Sequence, residues 1–543
     1  MGNSIFNLGD MLDAVGKALG PDDPALIHGD RVISWPEMTA RSNNVARALH
    51  ERGAEAGDKA GFYLRNQPEY MEGLAACFKG RFTHVNVNYR YLDDELVYIF
   101  DNSDSAIVFF DREFRENVER VRERLDKVKI WVEVGGDGSD TPDYAVAYEA
   151  LATEGNGSPL EIERSDDDQI FLYTGGTTGM PKGVMWSHRI WRESSLESMK
   201  KIYGFAPESM EQHLMLVNEM GKLSRQLPAC PLMHGTGLFT AMGAMVGGGA
   251  IVTLENTKKF DPVELWDTVD RRGVTAMAIV GDAFAKPMLR VLEENPGKYD
   301  LSTVQTITSS GVMWSMDVKR GLIKHMPQAA LMDSFGASEA VGFGMSVFTA
   351  EGEQQTAKFE LGENCKVFTE DRREVKPGSG EPGFIARGGA VPLGYYKDPE
   401  KTAKTYWEVD GVRYAVPGDW CTVEEDGTIT LLGRGSNCIN SAGEKIYPEE
   451  VEEALKNHES VLDALVVGLE DEKWGQAVTA VVQLNEGAST DEDTLRAFVK
   501  TQLAAYKAPK KILFKPSLGR APNGKADYKS IKNFAMEQLG ASA

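Results

Sequence analysis

Residues 170–188 read Ile-Phe-Leu-Tyr-Thr-Gly-Gly-Thr-Thr-Gly-Met-Pro-Lys-Gly-Val-Met-Trp-Ser-His. The apolar run 170–173 has the length and character of a buried strand. A loop rich in Thr and Gly follows it without a break. Gly175, Gly176 and Gly179 let backbone N–H groups close on a ligand without side-chain obstruction. Thr174, Thr177 and Thr178 add hydroxyls, and Lys182 adds a mobile cation. Together these groups suit a polyphosphate. The loop is not a Walker A motif, which needs Gly, four residues, then Gly-Lys-Ser/Thr; here Pro181 precedes Lys182. A surface hairpin of ordinary turn residues is the alternative. Two Gly-Thr clusters closing on Pro-Lys-Gly favour the phosphate reading.

Strands and helices alternate on both sides of the loop. Short strands are expected at 24–27 and 32–35 around the turn His28-Gly29-Asp30. A helix is expected over 39–52, stopped by Gly53, and another over 68–79, stopped at Gly80. Strands follow at 60–64, 83–87 and 106–110. Helices recur at 261–272 and 284–294. This alternation predicts parallel α/β sheets. Residues 351–433 differ, with short strands and turns such as Lys376-Pro377-Gly378 and Asp426-Gly427, and predict a small antiparallel β unit. From 437 a mixed pattern restarts, with helices at 447–456 and 494–503 and strands at 464–468 and 477–484. About one hundred residues suffice for a separate domain. The expected organisation is a large region 1–433, a hinge at 434–436 and a small mobile α+β domain 437–543.

Composition narrows the function classes. A chain of 543 residues with 42% apolar content can build more than one core. The net charge of −23, from 59 basic and 82 acidic residues, argues against nucleic acid or an anionic membrane as partner. The five cysteines are scattered, with no CxxC pair and no Cys/His cluster. Neither zinc nor a disulfide framework is indicated, and a reducing cytoplasm is expected. The N-terminus has no secretory pattern, and Phe6 stands where a myristoylation site wants Ser or Thr. Residues 226–254 carry no formal charge and are long enough to span a bilayer. Pro228, Pro231, His234 and Gly247-Gly248-Gly249 interrupt them, so a buried core is expected rather than an integral membrane segment.

The loop at 174–183 resembles the phosphate-binding loop of the adenylate-forming superfamily, which includes acyl-CoA synthetases, luciferases and peptide-synthetase adenylation domains. Further stretches resemble the same superfamily in the same order. Pro231 to Gly237 is similar to the motif whose aromatic or His residue, here His234, edges the acyl pocket. Ser309-Ser310-Gly311-Val312-Met313-Trp314 stands at the loop bordering adenine and acid. Val312, Met313 and Trp314 are bulkier than the family's usual residues, and Trp314 also suits a core position. Asp333-Ser334-Phe335-Gly336-Ala337-Ser338-Glu339 resembles the adenine and magnesium motif. Phe335 offers an aromatic face, and Glu339 is a hard oxygen ligand suited to Mg²⁺. The resemblance places Thr174 beside Glu339 on the metal side of the phosphates.

Pro417-Gly418-Asp419 resembles the Thr-Gly-Asp turn that accepts from the ribose hydroxyls, with Pro417 in place of Thr. Arg434 would also reach the ribose. The hinge residue aligns with Ser436, where the family usually has Asp or Lys. Ala442, Gly443 and Lys445 lie in the loop that passes the pantetheine arm of CoA. Arg520 to Lys525 resembles the C-terminal motif with the catalytic Lys525. Residues 519–525 spell a Walker A except for Ala526, and too little chain follows for a P-loop domain. The resemblance, closest to the fatty-acyl-CoA synthetase branch, implies ATP, Mg²⁺ and coenzyme A. The expected activity is AMP-forming ligation of an apolar carboxylic acid to CoA, on a medium- or long-chain fatty acid or a steroid side-chain acid. A carrier-protein-loading adenylation enzyme, a luciferase-like oxidase and a non-enzymatic binding protein are the alternatives. A homodimer is left open.

Overall fold

The computed structural model describes residues 4–136, 138–174, 180–311, 314–352, 358–434, 439–441, 444–471, 474–503, 505–521 and 526–540. By internal contacts the chain forms two compact units. One comprises Met1–Thr356 and Gly388–Ala415, the other Ala357–Arg387 and Val416–Ala543.

The first unit is built on two sheets. In the first sheet the strands Ala250–Thr253, Arg225–Pro228, Ala276–Ile279, Thr306–Ser310 and Ala330–Ala337 run parallel in that spatial order. The hairpin Pro24–His28/Arg31–Ser34 extends one edge. Ala340–Phe348 returns antiparallel beside Ala330–Ala337. The second sheet orders Gly394–Tyr395, Lys182–Ser187, Gln169–Thr174, Thr83–Asn86, Lys59–Tyr63, Ser105–Asp111, Ile130–Val134 and Ala145–Ala147. Its last six strands are parallel, as the alternation predicts.

Two core clusters follow from this layering. One packs the helices Pro262–Arg272, Gly281–Glu294 and Met316–His325 on the first sheet, around Trp266, Met288, Leu322 and Trp314. The other fills the second sheet around Val85, Val108, Phe110 and Phe171. The uncharged stretch 226–254 resolves into strand Arg225–Pro228, helix Gly235–Val246 and strand Ala250–Thr253. Among the described residues no helix is long and apolar enough to cross a membrane. Cys77, Cys230, Cys365 and Cys421 are buried, and none forms a disulfide among the described residues; Cys438 lies outside the described residues.

Helix ends show why some expected boundaries move. The helix expected from 39 starts at Trp35, because Ser34 Oγ accepts from Glu37 N–H and Pro36 fits the first turn. The helix Pro68–Gly80 ends with Arg81, not Gly80, in the left-handed region at φ 63°.

The second unit pairs Lys358–Leu361, Ile429–Arg434, Asp419–Val423, Gly383–Arg387 and Cys365–Phe368 as antiparallel neighbours. It also holds a sheet of Glu444–Ile446, Ile439–Ser441, Gly475–Leu484, Val461–Asp471 and Lys511–Phe514. The helices Pro448–Lys456 and Glu492–Gln502 cover its apolar face with Val451, Leu455, Leu495 and Val499.

Candidate active site

In open α/β sheets ligands bind beyond the carboxyl ends of parallel strands. Parallel register in the first sheet aligns Pro228, Ala278, Thr308 and Met332 at one level. The segments after these positions therefore emerge along one edge. They carry His234, Gly281, Ser310-Gly311 and Asp333 to Glu339. Ser310 stands opposite Ser334. Gly311 leaves its strand at φ 91°, and a Cβ there would meet Val280 Cγ1 at 3.8 Å, an ordinary contact distance. Ser309 Oγ accepts from Gly281 N–H at 2.9 Å and ties two of these loops together.

The side chains at this edge differ in freedom. Trp314 is 1% exposed and packs into the helix–sheet core, its indole N–H without a hydrogen-bond partner among the described residues. Asp333 pairs with Lys319, which also lies 5.6 Å over the Trp314 ring. Burial raises the Asp333 carboxyl above its ordinary range, against the lowering effect of Lys319. Phe335 has its ring 5.4 Å from that of Phe343. Gly336 lies where a Cβ would come within 3.2 Å of the Ala340 carbonyl.

Glu339 occupies the tight turn between Ala330–Ala337 and Ala340–Phe348, and only 7% of it is exposed. Its Oε1 accepts from the Tyr395 phenol at 2.5 Å. Among the described residues it has no cationic partner, and Oε2 accepts no hydrogen bond. A buried carboxylate normally needs a counter-charge. Its donor type and this missing partner fit a divalent cation, with Glu339 as protein ligand. Trp186 Nε1–H donates to the neighbouring Ser338 carbonyl at 3.0 Å, so both turn residues are tied to the second sheet.

On that sheet Gln169–Thr174 and Lys182–Ser187 form an antiparallel pair with Thr174 opposite Lys182. Residues 175–181 stand between these paired strands in the sequence, so the hairpin and phosphate-loop readings do not exclude each other. Gly175, Gly176, Thr177, Thr178 and Gly179 lie outside the described residues, as do Val312 and Met313. Lys182 forms an ion pair with Asp398 at 2.9 Å. This contact raises the Lys182 ammonium and lowers the Asp398 carboxyl relative to their ordinary ranges.

Two amides brace the two sheets against each other. Asn86 Nδ2 donates to the Tyr173 and Met233 carbonyls at 3.0 and 2.6 Å, and its Oδ1 accepts from Tyr173 N–H at 2.6 Å. Asn66 Nδ2 donates to the Pro228 and Cys230 carbonyls, and Leu232 N–H returns a bond to its Oδ1 at 2.7 Å. His234 follows this braced loop as the N-cap of helix Gly235–Val246. Asn66, Asn86, Trp186, Lys319, Tyr395 and Asp398 were not singled out from sequence. Two signals were available: an amide at the end of the apolar strand around Val85, and the Asp398-Pro399 helix start after Tyr395.

In the second unit Asp419 opens its strand directly after Gly418 at φ 103° and is buried. Its backbone pairs with that of Arg434, whose side chain lies outside the described residues. Ser436, Ala442, Gly443, Lys525 and the Lys445 side chain also lie outside them. Either side of 522–525 is anchored. Arg520 binds Asp463 through two hydrogen bonds of 2.5 and 2.9 Å, and the Tyr528 phenol donates to Glu452 at 3.0 Å. Burial pushes the Glu452 carboxyl up to about 7.

Residues 16–396 match the family model for AMP-binding enzyme, and residues 450–525 match that for the AMP-binding enzyme C-terminal domain. The chain is 40% identical to the 3-oxocholest-4-en-26-oate–CoA ligase of Rhodococcus rhodochrous, over 97% of this chain and 96% of that protein. It is 37% identical to the medium/long-chain-fatty-acid–CoA/3-oxocholest-4-en-26-oate–CoA ligase of Mycolicibacterium smegmatis, over 98% and 97%. The crystal structure of ATP-bound MatB from Rhodopseudomonas palustris shares the fold at a TM-score of 0.80. Identity there is 24%, over 99% of this chain and 100% of that one.

Proposed function

This chain belongs to the AMP-binding enzyme family, and from its relatives we infer that it is an ATP-dependent, AMP-forming acyl-CoA ligase for apolar carboxylic acids. The observation that carries the reading is near-full-length similarity, at 36–40% identity, to ligases for medium- and long-chain fatty acids and a steroid side-chain acid. The uncharged elements beside His234 support an apolar acid, since each buried CH₂ contributes about 0.8 kcal/mol.

The chemistry divides into two half-reactions. A carboxylate is a poor electrophile, so its oxygen first attacks the α-phosphate of ATP and pyrophosphate leaves. We assign the β- and γ-phosphates to Thr174, Gly175, Gly176, Thr177, Thr178, Gly179 and Lys182, whose main contribution is positioning. Asp398 holds Lys182 until a phosphate competes for it. Ser310, Gly311, Asp333, Ser334, Phe335, Gly336 and Ser338 are assigned to the adenine side, and Asp419 with Arg434 to the ribose. Lys525 is assigned to the charge that gathers at the α-phosphate. Magnesium, held by Glu339 with Thr174, would neutralise phosphate charge when bound. In the second half-reaction the CoA thiol displaces AMP from the acyl-adenylate. Ala442, Gly443 and Lys445 are assigned to the pantetheine path, and Ser436 to the hinge between 1–433 and 437–543.

A panel of acids measured by CoA-dependent AMP release tests this function. Octanoate, longer fatty acids or a steroid side-chain acid should be turned over at least tenfold more efficiently than acetate. AMP release that ignores free CoA would favour a carrier-loading enzyme, and oxygen uptake or light emission an oxidase.

A further inference from the structure

Glu339 and Tyr395 are 56 residues apart in sequence and meet inside the first unit. The phenol is only 3% exposed, and its place is fixed from several directions. Gly394 and Tyr395 pair with Met185 and Val184 on the strand that begins at Lys182. Tyr395 N–H donates to Thr402 Oγ1 at 2.9 Å. The Lys401 ammonium lies 4.7 Å over its ring, and the Tyr406 ring packs edge-on at 6.3 Å. The donor is therefore rigid before anything binds. Its acceptor is the opposite kind of group. The terminal torsion of a Glu side chain is broad, so packing alone does not fix the plane of its carboxylate. A phenol donor on Oε1 selects one orientation. It leaves Oε2, which accepts no hydrogen bond among the described residues, available to a cation.

We propose that Tyr395 is a positioning residue for the first half-reaction, holding Glu339 by Oε1 so that Oε2 meets the divalent cation already oriented. The inference rests on the reading of Glu339 as the metal ligand. Partners of this kind orient metal ligands elsewhere, and their loss typically weakens metal affinity or activity by about 10–100-fold.

The test uses full-length Tyr395→Phe, which keeps the ring and removes the donor. Mn²⁺ is titrated by electron paramagnetic resonance in the presence of a non-hydrolysable ATP analogue. Pyrophosphate release and thioester formation from supplied acyl-adenylate are measured in parallel. Tyr395→Phe should bind Mn²⁺ about tenfold more weakly or worse. Its pyrophosphate release should recover at high Mg²⁺, and its thioester step should be unchanged. Glu339→Gln should weaken Mn²⁺ binding at least as much, and adding Tyr395→Phe to it should change little. If Glu339→Gln weakens Mn²⁺ binding and Tyr395→Phe does not, the positioning role is wrong while the ligand reading stands. If Tyr395→Phe loses as much affinity in the Glu339→Gln background, or no longer folds by circular dichroism, the phenol serves the fold and the proposal is overturned. Unchanged Mn²⁺ affinity in Glu339→Gln removes the ligand reading and the positioning role with it.

Discussion

Gly311 and Arg81 show two opposite uses of backbone conformation. Gly311 leaves the strand Thr306–Ser310 at φ 91°, and the nearest atom a Cβ would meet is 3.8 Å away. Substitution there costs torsion, not space, by about 1–3 kcal/mol. The loop would relieve that strain by rerouting, and it is the loop assigned to adenine and acid. Gly311→Ala should therefore lower kcat/KM for acid-dependent pyrophosphate release by about tenfold, since about 1.4 kcal/mol is a factor of ten. Activity within twofold of the parent would detach this loop from the site. The family resemblance of residues 309–314 marked Gly311 in the sequence, and the structure adds that its conformation needs the residue type present there. Arg81 was not legible. Gly80 looked like the helix stop, yet its absent Cβ makes room for the Phe82 ring, 2.5 Å away, and the left-handed position falls to Arg81. A glycine kept for packing and one kept for torsion look alike in sequence.

Elements were legible where apolar periodicity sets them, as in strand Gln169–Thr174 and helix Pro262–Arg272. Their mutual docking was not, because it runs through polar atoms at their ends. His84 and His188 illustrate this. His84 lies inside strand Thr83–Asn86 with Nε2 3.0 Å from the Tyr70 phenol oxygen. His188 opens helix His188–Tyr203, and its Nδ1 accepts from Leu8 N–H at the start of helix Leu8–Ala18. Both rings are fully buried, and burial lowers each imidazole to about 3. Each folded value lies below the unfolded one of about 6.5, so the unfolded chain binds more protons between pH 3 and 6.5. Their contribution is complete above pH 6.5 and declines as pH falls, by about 1.4 kcal/mol per pH unit per histidine. Urea unfolding should therefore show a loss of about 2 kcal/mol per histidine between pH 6.5 and pH 5. His188→Gln should be less stable at pH 7.5 but lose about 2 kcal/mol less over that interval. An unchanged pH slope in the variant would show that this ring does not carry the acid sensitivity.

At the scale of the molecule, the alternation of strands and helices announces α/β sheets, and the break in that alternation announces a second kind of construction after 351. Sequence order could not show that the turn at Ser338-Glu339, the strand end at Trp186 and the segment at Tyr395 meet, because three distant stretches converge through single hydrogen bonds. Nor does it say how a chain with two compact units divides two half-reactions. The family resemblance gives a testable division, with Lys525 and Gly443 on the same C-terminal segment serving different steps. Lys525 is assigned to the charge at the α-phosphate, and that need ends once pyrophosphate has left. Gly443 is assigned to the pantetheine path, where a missing side chain would matter because the long, narrow arm must bring its thiol beside a buried anhydride. The two substitutions should therefore fail in opposite halves. Lys525→Ala should lose acid-dependent pyrophosphate release by about 10²-fold or more while converting supplied acyl-adenylate to thioester at near the parent rate. Gly443→Leu should form adenylate normally and block transfer, so that acyl-adenylate accumulates on the enzyme and can be recovered by acid quench. Gly443→Ala should be milder, in proportion to side-chain size. If either variant lowers both steps together, or if Gly443→Leu unfolds the C-terminal segment as read by limited proteolysis, that residue acts through the fold and its assignment to one half-reaction fails.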